Sequence, residues 1–145
     1  MNQSLDIKEL LREVHGDSVE DFLVPPPSFT IMKCELVAFD KENSTLTTKI
    51  PVLESWLNPY STMQGGMIIA AIDNALGPLS LLIAPKNMTR NIESKLSKAI
   101  TMDLEYIYVT AFLAESKKRR LVFEVVVKDR DENIYATARV TNWII

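Results

Sequence analysis

The chain is poor in the residues from which most reactive sites are built. One cysteine, Cys34, stands among 145 residues. It excludes an intramolecular disulfide and leaves nothing for a thiolate metal centre. The single histidine, His15, sits beside Gly16 where a first helix should stop, and reads as a surface residue at a helix end. Positive charge is not in excess. The formal net charge of -3 argues against nucleic acid, which normally selects a basic face. The opening residues, MNQSLDIKELLREVHG, lack the basic start and apolar centre of a signal peptide, so a cytoplasmic protein is the expectation. Glycine is scarce as well, with four in all, yet Gly65, Gly66 and Gly77 share one stretch, NPYSTMQGGMIIAAIDNALG, from 58 to 77.

What is present is the composition of an ordinary single globular domain, 47% hydrophobic and 24% charged. The apolar run from Met67 to Ala84 approaches the length of a membrane span. Asp73, Asn74 and Pro78 interrupt it, and a central Asp costs about 2.5–3.5 kcal/mol on insertion scales. A helix buried inside the protein, with no membrane partner, is the better reading.

Along the chain, SLDIKELLREV fits a short helix capped by Ser4, with Leu5, Leu10, Leu11 and Val14 on its apolar side. Pro25, Pro26 and Pro27 read as a stiff extended connector. Residues 1–27 thus form an N-terminal helix and linker, and 28–145 the core of one domain. In that core SFTIMKCELVAFD and STLTTKIPV are strand candidates around the turn DKEN. A helix from Gly65 to about Ala84 follows, with a break expected near Gly77-Pro78. PKNMTRNIESKLSK reads as a polar loop. In KAITMDLEYIYV, Ile100, Met102, Leu104, Tyr106 and Tyr108 alternate with Thr101, Asp103, Glu105 and Ile107. TAFLAES, LVFEVVVKD and IYATARVTNWII continue as strands separated by KKRR and RDEN. A helix apolar all round must be covered on most of its circumference, and only a curved antiparallel sheet is large enough. The pattern argues for an α+β fold, a sheet wrapped around a central helix.

This order of elements resembles the hotdog fold. The stretch around the helix is similar to the small acyl-CoA thioesterases of the phenylacetic-acid-pathway (PaaI) type, over roughly residues 28–142. In that family an Asn lies six residues before an HGG motif, and a carboxylate nine residues after its His. Here Asn58 stands six before Gln64 of QGG, and Asp73 nine after it. Thr101, Asp103 and Tyr108 match the spacing of a downstream Ser/Thr, Asp and Tyr. The one departure is Gln64 in place of the family's histidine. The resemblance implies hydrolysis of an acyl-CoA thioester without a separate cofactor, coenzyme A being part of the substrate. The implied chemistry relies on the backbone after Gln64 and on the carboxylate.

The residues suit that chemistry. A helix N-terminus has unpaired N–H groups and a positive dipole end, fit to receive a developing oxyanion. Glycine at Gly65 and Gly66 lets a carbonyl approach the backbone; close helix–sheet packing is the bland alternative. Asp73 can serve as general base or nucleophile, or else cap backbone groups freed by Pro78. Asn58 is a candidate to hold water or the thioester carbonyl, with a turn role before Pro59 as the equal alternative. Thr101 is a candidate to orient Asp73 or the water, and is as readily an ordinary strand threonine. In similar proteins the region of Lys117, Lys118, Arg119 and Arg120 lies near coenzyme A phosphates, though such a run is usually a solvated hairpin. Trp56, Leu57 and Tyr60 are candidates for an acyl pocket or for plain packing. Geometry adds that Gly65 and Asp73, eight positions apart, lie roughly 12 Å apart along a helix. One carbonyl cannot touch both in one chain, which points to a homodimer with shared sites, alone or as a dimer of dimers. The competing reading is a non-catalytic hotdog protein that binds an acyl-CoA or related ligand for regulation, favoured by Gln64. A hotdog dehydratase or hydratase generally needs a site histidine, and His15 lies outside the matching region.

Overall fold

The computed structural model describes residues 4–145. The first helix, α1 (Ile7–His15), is capped by Asp6 rather than Ser4. The Asp6 carboxylate accepts from the backbone N–H groups of Lys8 at 2.9 Å and Glu9 at 3.2 Å. Asp at this position satisfies two orphan donors and complements the helix dipole, which a serine hydroxyl does less well. The buried stripe is Ile7 and Leu11, one turn apart, while Leu5 and Val14 are exposed. His15 ends the helix and Gly16 caps it with φ +60°. His15 is not a bystander at the surface. It is half-buried, its Nε2 donates to the Leu81 carbonyl at 2.7 Å, and its ring meets that of Phe22.

The proline connector is shorter than expected. Pro27 opens a second helix, α2 (Pro27–Ile31), because its fixed φ suits a first helical turn. SFTI is therefore helical, with Phe29 buried, and strand β1 (Glu35–Asp40) starts later than the sequence suggests. Strand β2 (Thr45–Pro51) buries Leu46, Thr48 and Ile50 in strict alternation. The central helix, α3 (Gly65–Ile83), runs through Pro78 without the expected break. Pro78 has no N–H for the Asn74 carbonyl, but Leu76, Leu79 and Leu82 around it are buried. That packing outweighs one missing hydrogen bond.

Two readings after α3 need correction. The polar segment read as a loop contains strand β3 (Asn87–Leu96). The strands expected at KAITMDLEYIYV and TAFLAES are one strand, β4 (Tyr106–Lys117), preceded by a short 3-10 turn at Met102–Leu104. The phase also differs. Ile107, Val109 and Ala111 are buried against the helix, so Tyr106 and Tyr108 face the other side of the sheet. Strands β5 (Arg120–Lys128) and β6 (Ile134–Ile144) complete a six-stranded antiparallel sheet of order β1-β2-β4-β5-β6-β3.

The sheet curves around α3, whose Ala71, Ile72, Ala75, Leu76 and Leu79 are fully enclosed. α3 is long and apolar enough to cross a membrane by composition, but half of its apolar window is buried inside the fold. Burial of each large aliphatic side chain contributes about 1.5–3 kcal/mol. Leu76→Ala should therefore lower unfolding free energy by about 2–5 kcal/mol in a denaturant titration, through lost transfer energy and a cavity. A loss below about 1 kcal/mol would contradict this placement of the helix.

Candidate active site

The α3 N-terminus is open. Gln64 occupies the cap position, but its side chain is exposed and makes no capping bond. Its backbone is held by Gln64 N–H to the Trp56 carbonyl at 2.8 Å, and its carbonyl receives Met67 and Ile68. Among the described residues, the Gly65 and Gly66 amides have no acceptor. The two glycines differ. A Cβ at Gly65 would meet Leu96 Cδ1 at 3.2 Å, so packing accounts for part of its need. A Cβ at Gly66 would meet nothing within 4 Å. A cavity of about 220 Å³ adjoins Gly65, lined in part by Thr62, Met63, Leu96 and Ile100.

Ile68 and Ile72 face the sheet, and Asp73 projects from the stripe of α3 that the sheet leaves uncovered, beside half-buried Met67, Ala70, Asn74 and Gly77. Its carboxylate accepts a hydrogen bond from Thr89 Oγ1 at 3.0 Å. Thr89, on β3, is the residue that sequence reasoning missed. Its segment is polar and mostly exposed, so it carries no strand signal beyond faint alternation.

The other candidates divide between the two ends of α3. Thr101 precedes the 3-10 turn, and its neighbour Ile100 receives the Met63 N–H at 2.7 Å, which places Thr101 at the Gly65 end. It does not reach Asp73 of its own chain. Tyr108 is on the outer face of the sheet and Asp103 is exposed in the turn. Asn58 organises the loop that leads into α3. Its Oδ1 accepts from Tyr60 and Thr62 N–H at 3.0 and 3.1 Å, and its Nδ2 donates to Thr62 Oγ1 at 2.8 Å. One Nδ2 hydrogen remains unassigned. Tyr60 is 85% exposed, Leu57 is half-buried, and Trp56 packs on the core with a buried Nε1 that has no protein acceptor.

The basic run forms the β4–β5 turn. Arg119 donates twice to the Ile144 carbonyl, and Arg120 pairs loosely with Glu115 at 3.6 Å, while Lys118 is exposed. Register places Arg120 opposite Trp143, and Trp143 opposite Met88, beside Thr89. The turn is therefore at the Asp73 end of the sheet. Burial pushes the Cys34 thiol up to about 12, which makes it inert at neutral pH. Among the described residues, no three His, Cys, Asp or Glu side chains are grouped to hold a metal.

No family model matches the chain, and no curated protein does. Solved structures match well. The Escherichia coli PaaI protein from the phenylacetic acid degradation operon superposes with TM-score 0.79 at 11% identity, over 96% of each chain. A Streptococcus mutans protein bound to acetyl CoA gives 0.70 at 19% identity, over 76% of this chain and 86% of that one. A Streptococcus pneumoniae protein described as a hypothetical thioesterase, solved with coenzyme A, gives 0.71 at 15% identity, over 77% and 85%. With its curved antiparallel sheet closed around one long helix, the chain adopts the hotdog fold.

Proposed function

We propose that the protein hydrolyses an acyl-CoA thioester to the free acid and CoA. The observation that carries this reading is the pairing, on one exposed stripe of α3, of two unpaired backbone donors with a carboxylate held by one hydroxyl. The Gly65 amide, with Gly66 beside it, would receive the oxyanion that forms when the thioester carbonyl is attacked. Asp73 would activate the water or attack directly, positioned by Thr89. Thr101 and the remaining Nδ2 hydrogen of Asn58 would hold the water or carbonyl at the glycine end. Trp56 and Tyr60 would border the acyl group, and Lys118, Arg119 and Arg120 would face the nucleotide phosphates of a cytoplasmic CoA ester. Similar structures that hold acetyl CoA or coenzyme A support the ligand class.

The reading requires two chains. Gly65 and Asp73 lie on one unbroken helix, roughly 12 Å apart. A two-fold axis beside Met67 and Ala70, midway between them, would set the amide of one protomer against the carboxylate of the other. Two features favour that dimer. Met67 and Ala70 are half-buried apolar residues on the open stripe, the latter small enough for close approach. Among the described residues the outer edge of β3 has no partner strand, β3 pairing with β6 alone, and unpaired edges are usually covered. Regulatory binding without turnover is the second reading. It rests on Gln64, which stands in place of the histidine of the similar family's motif and makes no capping bond.

Asp73→Asn should lower kcat by at least ~10² across a panel of acyl-CoA esters while leaving the thermal transition intact. Unchanged turnover would remove Asp73 from the mechanism, and no turnover by the wild type would favour the regulatory reading. Thr89 is a positioning residue, so Thr89→Val should lower kcat by about tenfold, with KM little changed, and Thr89→Ser should restore it. Failure of serine to rescue an otherwise folded protein would assign Thr89 a packing role only.

A further inference from the structure

Beside Asp73, on the side away from Gly65, α3 and the N-terminal segment enclose a second cavity, of about 250 Å³. Leu11, Phe22, Leu23, Val24, Pro78 and Leu81 give it an apolar wall. Asp73 and Thr89 stand on the same lining, so the hydrogen-bonded carboxylate of the candidate site adjoins this space. Leu11 is fully buried, Phe22 and Val24 are half-buried, and Leu23 is 75% exposed, so the wall runs from the core out to solvent. Phe22 is fixed in turn by His15, whose ring it meets and whose Nε2 bonds the Leu81 carbonyl.

The neutral polar side chains of the lining are bonded within the protein. Ser80 donates to the Gly77 carbonyl, Asn87 to the Ser80 and Pro85 carbonyls, and buried Asn142 to Asn87. Asn74 is bonded to Ser28. The charged members, Asp73 and Lys86, are exposed. A pantetheine arm, with two amides to satisfy, would give up water here and find few partners. A hydrocarbon chain has no such cost. The size also suits one, since a dry apolar cavity of about 150 Å³ already holds benzene.

We infer that Phe22, Leu23 and Val24 are specificity-determining residues, which hold a compact hydrocarbon acyl group of several carbons beside Asp73. The inference rests on the proposed thioesterase reading, which seats the scissile carbonyl at Asp73. The acyl chain leaves that carbonyl toward Gly77 and the N-terminal segment, and the thiol portion leaves it on the opposite side. These three residues precede the stretch 28–142 that resembles the family, so a segment outside the shared core sets the preference. An acyl group too short to reach the wall gains nothing from it.

The test compares hexanoyl-CoA with acetyl-CoA, since only the longer chain reaches the wall. On the wild type hexanoyl-CoA should have kcat/KM at least about tenfold higher, through the additional methylenes buried. Phe22→Ala should lower the hexanoyl value about tenfold and leave the acetyl value within about twofold, and Phe22→Leu should restore most of the loss. Leu23→Ser, at a position exposed enough to spare the fold, should lower the hexanoyl value by about threefold with an unmoved thermal transition, and it decides alone if Phe22→Ala does not fold. No preference for hexanoyl-CoA on the wild type, or folded variants that leave the hexanoyl value unchanged or lower both values equally, would overturn the assignment while leaving the thioesterase reading intact. If neither ester is hydrolysed, the thioesterase reading fails separately, and calorimetric affinities for the same pair decide the wall. Tighter binding of hexanoyl-CoA that Leu23→Ser weakens then supports it, and equal affinities overturn it.

Discussion

A helix of nineteen residues cannot bring its own first turn to its own middle. The rest of the molecule depends on that rigidity. The sheet and the N-terminal segment cover most of α3 and fix it with fully buried Ile72, Leu76 and Leu79, so the side left open is a straight stripe. Along it the unpaired amides and the carboxylate are held at a fixed separation. A site that uses both must borrow one from another copy of the chain. The β3 edge, unpaired among the described residues, and the apolar middle of the stripe would provide a surface for that copy.

Among the described residues, the N-terminal segment joins the sheet ladder through one bridge, Leu5 to Leu36. It contributes to the site instead. Leu11, Phe22 and Val24 roof the cavity beside Asp73, and His15 holds them down through the Leu81 carbonyl, one of the orphan acceptors at the end of α3. Its histidine thus supports the wall of that cavity through a bond to the backbone. The Gln64 side chain, in the place of a histidine, leaves the amides behind it uncovered.

Much of this was legible in the sequence. An all-round apolar helix with a lone Asp, a Gly-Gly entry and late hairpins sufficed for the architecture, because hydrophobic period and turn chemistry act locally. The start of α3 at Gly65 was legible for the same reason. Asp73 was singled out, but its surroundings were not. Side-chain direction on a helix depends on which face the sheet leaves open, and period alone does not choose between Ile72 and Asp73. Strand β3 escaped because an exposed edge strand is held by its backbone ladder to β6, not by apolar alternation. Its loss concealed Thr89. Tyr108 matched a spacing, yet the phase of β4 turns it to the outer face of the sheet; Thr101 stands at the Gly65 end of α3, away from Asp73 of its own chain. Asn142 and Asn87 meet only through the β3–β6 pairing, a contact across 55 positions that no local pattern announces.

Complementation tests the central claim, a site made from two chains, most directly. Gly65→Pro removes one amide donor at a position where proline suits the helix start, Gln64 before it is extended, and only the end of the Leu96 side chain must yield. Co-expressed with an Asp73→Asn chain, it forms a heterodimer in which one site carries both lesions and the other neither. The account predicts nearly inactive homodimers, and a heterodimer that recovers up to about half of wild-type activity. Folded heterodimers without recovered activity, or a fully active wild-type monomer, would contradict it.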